Sequence, residues 1–142
     1  MMPQEATHKL FQAARSGNAS DVKTALDAGA DPNARLAYCR ETPLHWAARN
    51  GHTDLARLLI EKGALVNARD NCQQTPLHFV ARNGHTHLAS LLIEKGADPN
   101  ARDNWKQTPV HWAAMNGHTG VVKLFQDARQ GPGRPGEPQR GA

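Results

Sequence analysis

Thr-Pro-Leu-His stands at Thr42 to His45 and again at Thr75 to His78, and Thr108-Pro109-Val110-His111 follows as a near copy. Each copy begins 33 residues after the one before. A fixed period of that length constrains the fold more than any single residue does. It describes a stack of like units, each burying one face on its neighbours. In such a stack the recurring residues serve the repeat, and the residues that differ between copies carry whatever is individual to this chain.

The copies align along their length. Residues 42–70 read TPLHWAARNGHTDLARLLIEKGALVNARD, and residues 75–103 read TPLHFVARNGHTHLASLLIEKGADPNARD. The next copy begins TPVHWAAMNGHTGVVKLF and then diverges. A fainter unit lies upstream, where Ala13-Ala14-Arg15-Ser16-Gly17-Asn18 corresponds to Ala47-Ala48-Arg49-Asn50-Gly51-His52 at an offset of 34. The extra residue falls between Asn33 and Thr42.

A 33-residue period carrying T-P-L-H-x-A resembles the ankyrin repeat. The resemblance implies an all-α fold, a solenoid of stacked helix-turn-helix units with outward hairpin loops. Four units are placed, at 6–35 (diverged, an N-terminal cap), 40–69, 73–102 and 106–130 (a C-terminal cap). The tail, 131–142, is mostly Gly, Pro and charge, lacks a large apolar side chain to bury, and reads as disordered.

Local chemistry supports the units. Thr42, Thr75 and Thr108 suit a helix N-cap, and the Pro after each suits the first helical position. In the resembling family the motif His ties the helix start to the neighbouring repeat, which assigns His45, His78 and His111 to structure. Gly51, Gly84 and Gly117 are placed to end the first helices in the left-handed conformation. Thr53, Thr86 and Thr119 are expected to cap the second helices. The apolar faces of those helices are Leu55, Leu58, Leu59 and Ile60, then Leu88, Leu91, Leu92 and Ile93, and Gly63 and Gly96 stop them. Asp21 and Thr24 stand where Leu55 and Leu58 stand, and Gln126 replaces the Ile of Ile60 and Ile93. Polar ends of this kind suit a finite array of four units.

The hairpin tips depart from the family pattern. Arg40, Gln73 and Lys106 occupy the place where ankyrin repeats usually carry a turn Gly, and a positive φ there costs about 1 kcal/mol. The first hairpin, Leu36-Ala37-Tyr38-Cys39-Arg40-Glu41, also lacks the Asp found at Asp70 and Asp103.

Several function classes are disfavoured. No run of 18 apolar residues exists, so a membrane span is not expected. The start, Met1-Met2-Pro3-Gln4-Glu5, lacks a basic-then-apolar signal pattern, which makes an intracellular, cytoplasmic location the default. Cys39 and Cys72 lie at equivalent places in adjacent units, beyond disulfide reach, and suit a reducing compartment. His45, His52, His78, His85, His111 and His118 recur with the repeat, too far apart for one zinc ion, so neither a metal nor another cofactor is expected. With no nucleophile elbow, phosphate-cradling loop or H-E-x-x-H present, no catalytic residue is assigned and the chain is not read as an enzyme.

A binding surface remains. In the resembling family partners meet the hairpin tips and the inner face of the first helices, which line the concave side. The variable positions there are Tyr38, Cys39, Glu41, Trp46, Arg49 and Asn50; then Asn71, Cys72, Gln74, Phe79, Arg82 and Asn83; then Asn104, Trp105, Gln107, Trp112, Met115 and Asn116. Tyr38, Trp46, Arg49, Cys72, Phe79, Arg82, Trp105, Trp112 and Met115 form the candidate partner-binding set, an aromatic, Arg and Met composition typical of interface hot spots. Trp46, Phe79 and Trp112 also have a packing reading, between neighbouring helices. The expected role is a protein–protein interaction module, an adaptor or inhibitor, acting as a monomer on a protein partner. The alternative is nucleic-acid or acidic-ligand binding through two Arg rows, Arg15, Arg49 and Arg82 and then Arg35, Arg69 and Arg102, which Glu41, Asp70 and Asp103 interrupt.

Overall fold

The computed structural model describes residues 2–129, and the tail expectation for 131–142 lies outside them. Among the described residues eight helices follow one another: α1 Pro3–Ser16, α2 Ala19–Asp27, α3 Pro43–Asn50, α4 Thr53–Glu61, α5 Pro76–Asn83, α6 Thr86–Glu94, α7 Pro109–Met115 and α8 Thr119–Arg129. No strand occurs among the described residues. The odd-numbered helices pack in one row, α1 on α3 on α5 on α7, and the even-numbered helices in a second, α2 on α4 on α6 on α8. Each pair within a unit closes the layer between the rows, as the resemblance implied.

The Thr-Pro-x-His sequence starts α3, α5 and α7 by a reciprocal cap. Thr42 is extended, with φ −96° and ψ 168°, and its hydroxyl accepts from the His45 backbone N–H at 3.4 Å. In return the Thr42 N–H donates to His45 Nδ1 at 3.0 Å, so a histidine fills the place of the usual Glu or Gln in a capping box. The same bond measures 3.0 Å at Thr75 to His78 and 3.0 Å at Thr108 to His111. Because Nδ1 accepts, the ring proton sits on Nε2. That N–H donates across to the next unit, to the Gln74 carbonyl at 2.9 Å from His45 and to the Gln107 carbonyl at 3.0 Å from His78.

Both rings are buried, and burial disfavours the charged imidazolium. It lowers His45 from 6.5 to about 4, against the opposing pull of the Gln74 carbonyl, and it lowers His78 in the same direction. An unfolded imidazole takes its proton near pH 6.5, the folded His45 only near 4. Between those values the unfolded state holds more protons. Stability therefore falls as pH drops from about 6.5, and the loss levels off below about 4, at about 3 kcal/mol for His45 alone.

A second histidine row ties the other ends of the inner helices. Gly51 and Gly84 take φ of 74° and 73° as left-handed C-caps, while Gly117, expected in the same role, has φ 75° one residue beyond Asn116, the C-cap of α7. The first two also seat a ring from the following unit: a Cβ on Gly51 would come within 2.7 Å of His85, and one on Gly84 within 2.6 Å of His118. The Nε2 of His85 lies 3.1 Å from the Arg49 carbonyl and that of His118 lies 3.0 Å from the Arg82 carbonyl. This corrects the expected capping of α4 and α6. His52 and His85, not Thr53 and Thr86, occupy the N-cap, and neither makes a side-chain cap bond, since each ring faces a carbonyl of the preceding unit. In the first unit Asn18 stands at this place and does cap, accepting from Asp21 N–H at 3.1 Å.

The core is continuous from Leu10 and Val22 through Leu44, Leu55, Leu59, Leu77, Val80, Leu88 and Leu92 to Phe125, all fully buried. Leu91 is buried as well, while Leu58, Ile60 and Ile93 are half-buried. Asp21, Thr24 and Gln126 are exposed at the two ends. Among the described residues no helix is long and apolar enough to cross a membrane.

The hairpins carry the strain expected of them. Arg40, Gln73 and Lys106 have φ of 62°, 63° and 63°. Each of their carbonyls accepts from an Arg of the same hairpin: Arg35 to Arg40 at 3.0 Å, Arg69 to Gln73 at 3.0 Å and Arg102 to Lys106 at 3.3 Å. Arg69 also reaches the Arg102 carbonyl of the next hairpin at 2.8 Å, and Arg35 likewise bonds that of Arg69. The extra residue of the first hairpin is located by its bonds. Asp70 N–H donates to the Gln74 carbonyl and Gln73 N–H to the Asp70 carbonyl, whereas Leu36 pairs with Glu41 and Arg40 with Leu36. The insertion therefore lies between Leu36 and Arg40, and Leu36 stands where Asp70 and Asp103 stand.

Glycine relieves the left-handed strain at no steric cost. Gln73→Gly and Lys106→Gly are each expected to raise the melting temperature, by about 1 kcal/mol of stability less the added unfolded-chain entropy. Thermal melts followed by circular dichroism check this, and a lower midpoint in both variants would contradict it.

Candidate functional site

The inner helices of the two middle units, α3 and α5, each place one large ring and one Arg on the same face, because positions three apart are neighbours on a helix. Stacking the units interleaves them. Arg15 lies over the Trp46 ring at 5.0 Å and Arg49 over the same ring at 4.6 Å. Arg49 also lies 4.7 Å from the Phe79 ring, with Arg82 at 5.2 Å from it. Arg82 then lies 4.4 Å from the Trp112 ring. The result is a ladder, Arg15, Trp46, Arg49, Phe79, Arg82, Trp112, running along the stack. A cation over an aromatic face is worth about 0.5–2 kcal/mol, more where water is excluded.

Acids from the hairpin feet lie along this ladder. Glu41, buried, takes a charge-assisted bond from Arg49 at 2.6 Å. Asp103, also buried, accepts from Trp112 Nε1 at 2.9 Å and from Gln74 Nε2 at 3.2 Å through one oxygen. Its other oxygen accepts from Trp105 and Gln107 N–H, each at 2.9 Å. Burial alone would raise this carboxyl, but the donors from Trp112, Gln107, Gln74 and Trp105 hold it below its ordinary value. Asp103 is not among the nine candidate residues, yet it stands nine residues before Trp112, at the hairpin position that Leu36 fills before Trp46.

The first hairpin breaks this pattern. Leu36 holds the place of the acid, and the Trp46 Nε1 is buried with no hydrogen-bond partner. A buried donor left unpaired costs about 1–3 kcal/mol. The missing acceptor explains the orphan.

The nine candidate residues divide into three groups. Tyr38, 93% exposed, and Trp105, 59% exposed, project from the first and third hairpins. Met115 is 59% exposed at the last turn of α7. Trp46, Arg49, Arg82 and Trp112 are half-buried members of the ladder, and Cys72 is half-buried with its N–H bonded to Asp70. Phe79 is a correction. It is 2% exposed, clamped between two guanidiniums with its ring edge-on to His45, and so presents no surface to a partner.

The two Arg rows have structural work. Arg35 and Arg69 bind hairpin carbonyls, while Arg49 and Arg82 each stack against two rings. Cys39 and Cys72 are free thiols. Among the described residues no group of three His, Cys, Asp or Glu could hold a metal ion. The repeated histidines that face carbonyls are accounted for by those contacts.

The chain matches the profile for ankyrin repeats in three copies over residues 10–103, and a second ankyrin-repeat profile over residues 84–126. It is 33% identical to an ankyrin repeat protein of Rickettsia bellii, covering 46% of this chain and 37% of that one. It is 39% identical to an ankyrin repeat-containing protein of Schizosaccharomyces pombe, covering 45% and 30%. It is 36% identical to a palmitoyltransferase of Yarrowia lipolytica, covering 46% of this chain and 9% of that protein. The chain thus spans well under half the length of these relatives.

Restoring the acceptor is expected to stabilise the first hairpin. Leu36→Asp should couple to Trp46 by about 1 kcal/mol, a value read from a double-mutant cycle with Trp46→Phe in urea denaturation. Zero coupling would show that position 36 does not face the indole N–H.

Proposed function

Since the chain belongs to the ankyrin-repeat family, whose repeats are protein–protein interaction modules, we propose that it binds a partner protein through its hairpin tips and inner-helix face. The observation that carries this reading is the exposure of Tyr38 and Trp105 at the tips. Large aromatic side chains bury much apolar area at low entropic cost, which is why they dominate hot spots. Neither side chain belongs to the hydrophobic core or to the side chains packed against it.

The mechanism is rigid presentation. The ladder side chains and hairpins are held by the stack before a partner arrives, so little conformational entropy is lost on binding. Such a module acts as an adaptor, or as an inhibitor where the surface it covers is an active one.

Photo-crosslinking residues at positions 38 and 105 test this, with position 57, exposed on the outer helix α4, as control. Both tip positions are expected to crosslink one common protein in a cell extract and position 57 not to do so. A Tyr38→Ala, Trp105→Ala variant should lose capture by about tenfold or more, with its melting temperature unchanged. Equal crosslinking at position 57, or full capture by the double variant, would overturn the reading.

A further inference from the structure

The ladder is unfinished at one end. Trp46 has a guanidinium on each side along the stack, Arg15 and Arg49, and Phe79 likewise has Arg49 and Arg82. Trp112 has Arg82 at 4.4 Å and no second cation among the described residues. The residue at the Arg position of its own unit is Met115, 33 residues after Arg82. Met115 is 59% exposed, so the position that holds an Arg in the two middle units holds here a flexible, uncharged and solvent-facing side chain.

Trp112 is also the ring best prepared for a cation. Indole has the strongest cation-binding face of the aromatic side chains. Its N–H donates to the Asp103 carboxylate at 2.9 Å, which polarises the ring toward a more negative face. Asp103 adds a buried negative charge at its N–H edge. Two guanidiniums flanking one ring is an arrangement this fold already tolerates twice, so Arg82 does not preclude a second cation on Trp112.

We propose that the open side of Trp112 is the receptor for an arginine side chain of the partner protein, which takes the place that Arg49 and Arg82 take in the earlier units. This rests on the inner-helix face being the partner-binding face, and it names the chemistry of one contact there. The partner's guanidinium displaces or slides beneath the Met115 side chain and completes the alternation of rings and cations. Arginine suits the site better than lysine, because a planar, weakly hydrated guanidinium stacks on a ring as Arg82 does on the opposite side.

A chain carrying Trp46→Phe and Trp105→Phe leaves Trp112 as its one indole. Titration with acetylated and amidated tri-arginine, followed by Trp112 fluorescence and by its Nε1–H resonance, is expected to give a saturable change. The citrulline tripeptide, isosteric and uncharged, should bind at least about tenfold more weakly. Met115→Arg supplies the missing cation from within the chain and should abolish the response, while Met115→Gln, of similar length and neutral, should keep it. Wild-type binding by Met115→Arg would overturn the inference. So would resonance shifts confined to the hairpin tips with Trp112 unmoved, a result that leaves the interaction face itself standing. The crosslinks from positions 38 and 105 report on that face independently of this titration.

Discussion

In each of the two middle units one imidazole, His45 or His78, does two jobs on which the stack depends. Its Nδ1 accepts the N–H that opens the inner helix, and its Nε2–H reaches the hairpin of the next unit. A helix start leaves orphan donors, and a hairpin leaves an orphan carbonyl. The neutral ring answers both at once, in a buried place where a charge would be costly. Its counterpart on the second histidine row joins the far end of each inner helix to the preceding unit, over a glycine that has no room for a Cβ. The inner helices are thus fixed at both ends, which sets the spacing at which rings and guanidiniums interleave.

That spacing turns a repeated sequence into a surface. Arg49 is an ordinary helix residue three positions after Trp46, and only stacking brings it onto Phe79. The ladder covers one face of the inner row with charge that is held over rings and backed by Glu41 and Asp103. What remains free for a partner is at its margins: the tips at Tyr38 and Trp105, and the last rung at Trp112 and Met115. The proposed binding mode uses those margins and leaves the interior of the ladder to stability.

Much of the fold was legible because the period repeats its own reasons. Thr-Pro, Asn-Gly and the Leu rows occur three or two times over, and each carries a local mechanism that needs no knowledge of neighbours. The positive φ at Arg40, Gln73 and Lys106 was legible for the same reason, as a departure from a turn residue. What was not legible depends on contacts between units. Thr53 and Thr86 have the composition of caps, but the residue before each spends its ring on the preceding unit and the helix begins at the Thr. Phe79 matches Trp46 and Trp112 in sequence, yet two guanidiniums and His45 bury it. Asp103 read as an interruption of a basic row until the fold set it against Trp112. The position of the inserted residue, and with it the substitution of Leu36 for an acid, required the hydrogen-bond register of the hairpin.

The stack depends on the protonation state of the bridging rings, and nitrogen-15 NMR of the histidines reads it directly. His45 and His78 are predicted to be neutral with the proton on Nε2 at pH 7, and His45 to remain so at pH 5.5 in the folded protein, consistent with its pKa of about 4. A proton on Nδ1 in either ring, or a folded His45 that charges near pH 6.5, would contradict it.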